Sequence, residues 1–233
     1  MTGYGQFCPV AKALEVVGER WSLLVIRELL CGNYRFGEIM HGLPLISRSV
    51  LAQRLKSLEE AGLVERHARS ADGGPVYALT EAARELEPIV LGLGTWGQRW
   101  SRGKPSAKEL DPVLLMWDMR RRLDLARLPE RSTVVMFWYR DVPANRSRYW
   151  LRMDRSEVDL CITNPGFPVE LTIETKIRTM VEIWMGQRDL RESLRDGAIQ
   201  LQGTPGLKRA FPSWLLLSPF AKVERPAAAP AVV

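Results

Sequence analysis

The segment "ISRSVLAQRLKSLEEAGLVER" (residues 46–66) decides the fold of the first half of the chain. Within it, Leu51, Leu55 and Leu58 fall at the spacing of one face of an α-helix. Ser47 stands where an N-cap residue accepts a hydrogen bond from the first turn. The segment therefore predicts a helix that begins after Ser47, packs on its leucines and leads into a short strand.

The face of this helix opposite the leucines changes charge along its length. Its first turns carry no acidic residue, whereas Glu59 and Glu60 stand at its end. A helix that enters the DNA major groove needs small or hydrogen-bonding residues at its start and cations beside them. The residues that we predict to contact DNA on this basis are Ser47, Arg48, Ser49, Gln53, Arg54 and Lys56. The alternative is a basic face that is simply solvated.

The surrounding segments favour DNA binding over that alternative. Three shorter helical patterns precede the helix, and two strands, residues 63–67 and 76–79, follow it with a glycine-rich turn between them. A further helix, capped by Thr80 and kinked at Pro88, runs to about Trp100. This is the order of a winged helix-turn-helix domain, whose hairpin reaches the DNA backbone beside the groove. The predicted contacts that this context adds are Arg35, Arg66 and Arg69.

The length of 233 residues is sufficient for two domains. We predict a winged helix-turn-helix domain over residues 1–102, a polar linker over 103–109, an α+β domain over 110–224 and a disordered tail over 225–233. The sequence contains no secretory signal pattern and no apolar run near the ~20 residues that cross a membrane. A cytoplasmic protein without a membrane partner is expected.

The distribution of charge limits where a polyanion could bind. The formal net charge is +6, but residues 1–103 hold 12 basic and 11 acidic side chains. The N-terminal half is therefore not a generally basic body. Any DNA binding there must come from local clusters such as the start of the helix after Ser47.

The second half of the chain alternates between strand and helix patterns. Residues 132–140 are apolar on both faces, as a covered central strand would be, and four later segments alternate with the strand period. Two short helices, about residues 177–185 and 190–195, separate the last two strands. The pattern predicts an α+β domain with a single sheet and helices on one of its faces.

The first half also resembles a known family. A Cys-Pro pair at Cys8, an Arg-Phe pair at Arg35, Ile-Ser-Arg before the long basic helix and "VYALTEAARELEPIVLGLGTWG" resemble the HxlR family of winged-helix transcription regulators over residues 7–100. The resemblance implies a homodimer on a palindromic operator, acting as a repressor, with a dimer surface from the first helix and the helix carrying Trp96 and Trp100. Some members sense oxidants through the cysteine that matches Cys8, so a redox role for Cys8 is implied.

The second half, over residues 130–222, is similar to the sterol carrier protein 2-like fold. The motif is "IWMGQRDLRESLRDGAIQLQGTPGLKRAFPSWL" (183–215): Trp-x-Gly, a helix ending in Asp-Gly, a strand and a further Gly. The resemblance implies a pocket for a hydrophobic small-molecule effector, although such apolar residues equally form an ordinary core. The pocket residues implied are Met136, Trp138, Leu160, Leu171, Met180, Ile183, Trp184 and Met185.

Reactive groups are sparse in this sequence. The histidines are His41 and His67, and no phosphate loop or nucleophile motif is present. Three distant cysteines predict neither disulfides nor a metal site. We therefore expect no enzyme activity, no metal and no cofactor. The alternative to a regulator is a carrier of hydrophobic ligands whose winged-helix part mediates assembly.

Overall fold

The computed structural model describes residues 3–68, 74–101 and 105–224. The chain divides into two compact units, Met1–Gly94 and Thr95–Val233. The predicted contact Arg69, the predicted tail and residues 103 and 104 of the predicted linker lie outside the described residues. No helix in the described ranges is both long and apolar enough to cross a membrane.

The first unit is built from helices and one hairpin. The elements in chain order are α1 (Pro9–Val17), α2 (Ser22–Leu30), α3 (Phe36–Gly42), α4 (Arg48–Glu60), β1 (Val64–His67), β2 (Val76–Leu79), α5 (Glu81–Arg84) and α6 (Glu87–Trp100), the last of which continues into the second unit. Strands β1 and β2 pair antiparallel, as the sequence predicts. The side chains that form the core come from α1 to α5, from both strands and from the turn between α3 and α4.

The helix predicted to run from Thr80 to Trp100 with a kink at Pro88 is two helices. The Thr80 hydroxyl accepts a hydrogen bond from the backbone N–H of Ala83 at 3.4 Å and caps α5, which ends at Arg84. In a continuous helix the ring of Pro88 would meet the carbonyl of Arg84, four residues earlier. The chain therefore breaks before α6 begins at Glu87.

The second unit contains one five-stranded sheet with helices. The elements in chain order are α7 (Pro112–Arg120), β3 (Thr133–Tyr139), β4 (Arg148–Met153), β5 (Val158–Cys161), β6 (Leu171–Thr175), α8 (Ile177–Trp184), α9 (Leu190–Arg195), β7 (Ile199–Gly203) and α10 (Pro205–Ala210). The strand order is β5-β4-β3-β6-β7; β3 and β6 run parallel and the other neighbours antiparallel.

One face of this sheet carries the core of the second unit. Val135, Phe137 and Tyr139 alternate along β3 onto that face and pack with residues of α7 and α8, among them Met116 and Met180. The sequence predicts this layering and all five strands. The α+β class and the single sheet are thus observed, with the helical residues of the core on one face.

Candidate nucleic-acid interface

The start of α4 is fixed by its own side chains. The Ser47 hydroxyl accepts a hydrogen bond from the backbone N–H of Val50 at 3.2 Å, which caps the helix as predicted. The hydroxyl oxygens of Ser47 and Ser49 lie 3.1 Å apart. Both side chains are exposed, so hydroxyl groups line the first turn of the helix.

The two faces of α4 divide as the spacing predicts. Leu51, Leu55 and Leu58 are 0%, 2% and 1% exposed and hold the helix against the core. On the other face, the exposed residues that match the predicted contacts are Ser47, Arg48, Ser49, Gln53 and Lys56. The helix therefore presents hydroxyl, amide and cationic groups to solvent over its first two turns and a half.

Arg54 differs from the prediction and is not part of this surface. Its side chain is 10% exposed and forms an ion pair with Glu19, which lies between α1 and α2. Arg54 stands three residues after Leu51 and four before Leu58, so helical spacing directs it towards the buried face. Its charge is paired inside the protein and is not available for a phosphate contact.

A buried polar cluster fixes the turn that leads to α4. Glu28 of α2 is fully buried and accepts hydrogen bonds from Asn33 Nδ2 at 2.6 Å and from Arg27 Nε at 2.9 Å. Arg27 also donates from Nη2 to the carbonyl of Gly42 at 3.1 Å. Sequence reasoning missed this cluster; its one signal is a glutamate at a core position of an apolar helix, Glu28 in "RELL".

Gly42 is required where it approaches this cluster. A Cβ atom at Gly42 would collide with the carboxylate of Glu28. The last residue of α3 can therefore pack against α2 only if it has no side chain. This contact sets the position of the helix-turn-helix, because α4 begins six residues later at Arg48.

The hairpin is joined to the start of α3. Arg35 forms a bridge with Val76, and the Tyr77 backbone N–H donates to the carbonyl of Tyr34 at 2.8 Å. His67 pairs with Val76 from the other side. Arg35 and His67 thus flank Val76 in one row, and both are exposed.

Arg66, the other predicted contact in the hairpin, lies on the opposite side of the strand from His67. Arg66 pairs with Tyr77 of β2, whose side chain is buried at 8% exposure. The Arg66 side chain lies beyond the edge of the core and is exposed. His67 lies 3.2 Å from Glu65 through its Nε2 atom, on the outer side of the same strand. The hairpin therefore places Arg35 and His67 in one row and Arg66 on the other side.

Large apolar side chains are exposed on α1 and α6. Ile89 and Leu93 of α6 are 53% and 50% exposed. Trp96, predicted for a dimer surface, is 52% exposed, and Val10 and Leu14 of α1 are 66% and 44% exposed. Exposed apolar side chains at helical spacing are typical of a surface that pairs with another protein surface.

Cys8 occupies the N-cap position of α1. Its side chain makes no capping hydrogen bond, but the backbone N–H groups of Ala11 and Val10 lower the pKa of its thiol. These groups belong to the first helical turn, where backbone donors have no partner within the helix. The thiol therefore has increased thiolate character. No disulfide joins Cys8, Cys31 and Cys161.

The eight predicted pocket residues do not line one cavity. Leu171, Met180, Ile183 and Trp184 are buried within the packed core of the second unit, with Leu160 and Met185 against it. Met136 and Trp138 alternate with the core residues of β3 and belong to the other face of the sheet. Because β3 is apolar on both faces, its sequence does not show which residues face the helices.

The fold and the exposed face of α4 define the first unit as a winged helix-turn-helix protein. A family model described as HxlR-like helix-turn-helix matches residues 16–105. The uncharacterized HTH-type transcriptional regulator YvaP of Bacillus subtilis is 36% identical over 97 residues, which is 41% of this chain and 90% of YvaP. The chain belongs to the HxlR-like helix-turn-helix family through this part of its sequence.

Other relatives carry the same description. An uncharacterized HTH-type transcriptional regulator of Mycobacterium tuberculosis is 44% identical over 92 residues, or 39% of this chain, and the chain spans 58% of its length. The reduced form of the transcriptional regulator YodB from Bacillus subtilis shares 35% identity with a TM-score of 0.36, covering 40% of this chain and 93% of that structure. The family match ends at residue 105, before α7.

Proposed function

We propose that this protein is a homodimeric transcriptional repressor that binds a palindromic DNA operator, with α4 as the recognition helix. The observation that carries the proposal is the exposed face of α4 formed by Arg48, Ser49, Gln53 and Lys56. Arginine and glutamine side chains at such positions form bidentate hydrogen bonds with guanine and adenine edges. The family membership supports the same role, since the relatives are HTH-type regulators.

Phosphate contacts would come from the flanks of α4. Arg35 is exposed at the start of α3, and in helix-turn-helix complexes this first helix crosses the DNA backbone. His67 and Arg66 extend from the hairpin on its two sides, and Arg69 continues the same segment of sequence. With 12 basic and 11 acidic side chains in residues 1–103, the DNA affinity depends on these few groups.

The apolar surface on α1 and α6 supports a dimer. Val10 and Leu14 on α1, with Ile89, Leu93 and Trp96 on α6, leave a large apolar area in contact with water in the single chain. Association of two copies through these helices removes that area from water. A dimer also presents two copies of α4, which matches a palindromic operator.

The second unit is proposed to be sterol carrier protein 2-like and to bind an effector. Its five-stranded sheet with a helical core on one face supports the resemblance. The predicted apolar pocket between sheet and helices receives no support, because those side chains are packed. A redox input is a second candidate, supported by the lowered pKa of Cys8.

The deciding experiment measures binding to a fluorescent duplex from the region upstream of the protein's own coding sequence. We expect an affinity for the duplex that falls steeply between low and physiological salt. In a double variant that carries Arg48→Ala and Gln53→Ala, the affinity should fall tenfold or more. Arg209→Ala, an exposed arginine on α10, is the matched control and should bind as the wild type does. A carrier whose winged helix only mediates assembly would bind this duplex no better than a scrambled one, and that result would overturn the proposal.

A further inference from the structure

The second unit contains a cavity, open to solvent, that none of the predicted pocket residues lines. It has a volume of about 430 Å³ and lies between the segment after α8 and the C-terminal segment that follows α10. This volume is in the range of cavities that hold small organic ligands. Apolar side chains form one wall, namely Leu190, Pro212, Leu215, Leu217 and Ala221.

The polar part of the lining has a net positive charge. Arg188 is satisfied within the protein, since it donates to Asp196 at 2.5 Å and to Ser193 at 2.7 Å. The Asp189 carboxylate accepts the backbone N–H of Glu192 at 2.7 Å. Arg191 and Lys222 are exposed at the cavity, and neither forms an ion pair within the described ranges. Two cations beside an aliphatic wall suit a ligand with one anionic end and one apolar end.

The C-terminal wall of the cavity is held in place by backbone contacts. The Ser218 N–H donates to the carbonyl of Trp184 at 3.0 Å, and Arg122 Nε donates to the carbonyl of Leu217 at 2.6 Å. Gly186, with φ of 72°, packs so closely on Ala221 that a Cβ atom there would collide with the Ala221 carbonyl. These contacts within the chain restrain the wall, and a restrained site loses less entropy when a ligand binds.

Leu217 in this wall has an unusual backbone. Its φ is 58°, in the left-handed region that residues with a side chain rarely adopt. Such conformations persist where the surroundings enforce them, and they are frequent at ligand sites. Here Arg122 supplies the restraint through its hydrogen bond to the Leu217 carbonyl.

A hydrogen bond connects α6 to the segment after α8, which lines the cavity. Gln98, buried at 8% exposure near the end of α6, donates from Nε2 to the carbonyl of Met185 at 3.2 Å. Met185 directly precedes Gly186, which lines the cavity. The same helix carries Ile89 and Leu93 of the proposed dimer surface. A ligand that moves the cavity segment would therefore act on α6.

We infer that this cavity binds a small carboxylate with a compact apolar body. Arg191 and Lys222 bind the carboxylate group, and the apolar wall contacts the rest of the ligand. Occupancy of the cavity alters operator binding through Gln98. The second part rests on the proposed function; the binding itself does not. Coupling of this kind requires that the ligand have different affinities for two arrangements of α6.

The binding part is tested by calorimetry on the full chain with 4-phenylbutyrate, using 4-phenylbutyramide as the uncharged isostere. We expect the carboxylate to bind and the amide to bind at least tenfold more weakly. Arg191→Gln and Lys222→Gln should each weaken the carboxylate about tenfold, whereas Lys208→Gln on α10 should not. Equal affinity for acid and amide, equal effects of all three substitutions, or no binding at about 1 mM ligand would overturn the site.

The coupling part compares operator affinity with and without 4-phenylbutyrate. We expect a change of at least threefold in the wild type and none in Gln98→Met, which should still bind the ligand. If the wild type bound the ligand but its operator affinity did not change, the coupling would be overturned and the binding site would stand. Failure of the unliganded protein to bind DNA would overturn the proposed function and, with it, the coupling.

Discussion

Arg54 on α4 forms an ion pair with Glu19 between α1 and α2, so one of the cations on the proposed recognition helix serves the fold. The arginine side chain is 10% exposed and the glutamate 42%. The pair connects α4 to the segment that joins the first two helices. A charge in this position stabilises the orientation of α4 and leaves its outer face unchanged.

Replacing Arg54 should therefore reduce stability and leave sequence preference intact. We expect Arg54→Met to lower the free energy of unfolding by about 1 kcal/mol, because the largely buried arginine loses its ion pair with the partly exposed Glu19. Urea denaturation measures this. Lys56→Met is the matched control: its side chain is 76% exposed, and its 3.6 Å contact with Glu60 should contribute under about 1 kcal/mol. Arg54→Met with full stability but altered base preference would contradict this assignment.

A second stability prediction concerns Gly42. Glycine to alanine within a helix ordinarily stabilises a protein, by up to about 1 kcal/mol. At Gly42 we expect the opposite, a loss of about 1–3 kcal/mol, because the new methyl group would collide with the buried Glu28 carboxylate. Thermal unfolding of Gly42→Ala and Gly37→Ala tests this.

Gly37 is a suitable control because it lies in the same helix and a Cβ atom there meets no atom within 4 Å. Gly37→Ala should unfold at the wild-type temperature or above. If both variants lost the same stability, the loss would reflect the helix and not the approach of Gly42 to Glu28.

Much of the first unit could be predicted from sequence because local rules act there. The Ser47 cap and the leucines of α4 follow from short spacings. The partner of Arg54 could not be predicted, since Glu19 is distant in sequence and no local pattern connects the two. The helical spacing from Leu51 nevertheless indicates that Arg54 lies towards the buried side.

The second unit shows the opposite limit. Its strands were predictable from alternation, but β3 is apolar on both faces, so alternation could not decide whether Trp138 or Phe137 faces the helices. The cavity was not predictable either. Its walls come from the segment after Gly186 and from the C-terminal segment, which meet only in the folded chain.

Base recognition should depend on the outer face of α4. Arg48→Ala and Gln53→Ala should each cost about 1–3 kcal/mol in operator binding and relax the preference at one base pair per half-site. Lys56→Ala should weaken binding to all DNA sequences alike. The slope of affinity against salt concentration should fall by the contribution of about one phosphate contact. Binding to a library of operator variants at two salt concentrations separates these effects. Unchanged preferences in Arg48→Ala and Gln53→Ala would mean that α4 is not the recognition helix.

The oligomeric state should depend on α6. We expect Ile89→Glu and Leu93→Glu each to shift the protein from dimer to monomer, because a charge would be buried in an apolar interface. Light scattering after size-exclusion chromatography measures the mass. Leu24→Glu on α2 is the control, since Leu24 is also apolar and 39% exposed but lies outside α1 and α6. Dimers that survive both α6 substitutions would place the interface elsewhere.

The Cys8 thiol should become reactive at a lower pH than an ordinary cysteine does. The N–H groups of Ala11 and Val10 lower its pKa, so at any pH near neutrality a larger fraction is thiolate than for an ordinary cysteine. The alkylation rate with iodoacetamide, followed by peptide mass spectrometry, should therefore inflect at a lower pH in the folded protein than for the same cysteine in urea-unfolded protein. An inflection at the same or a higher pH in the folded protein would contradict the effect of the helix start. If alkylated protein and a Cys8→Ser variant both bound the operator as the untreated wild type does, Cys8 would have no role as a sensor, whatever its pKa.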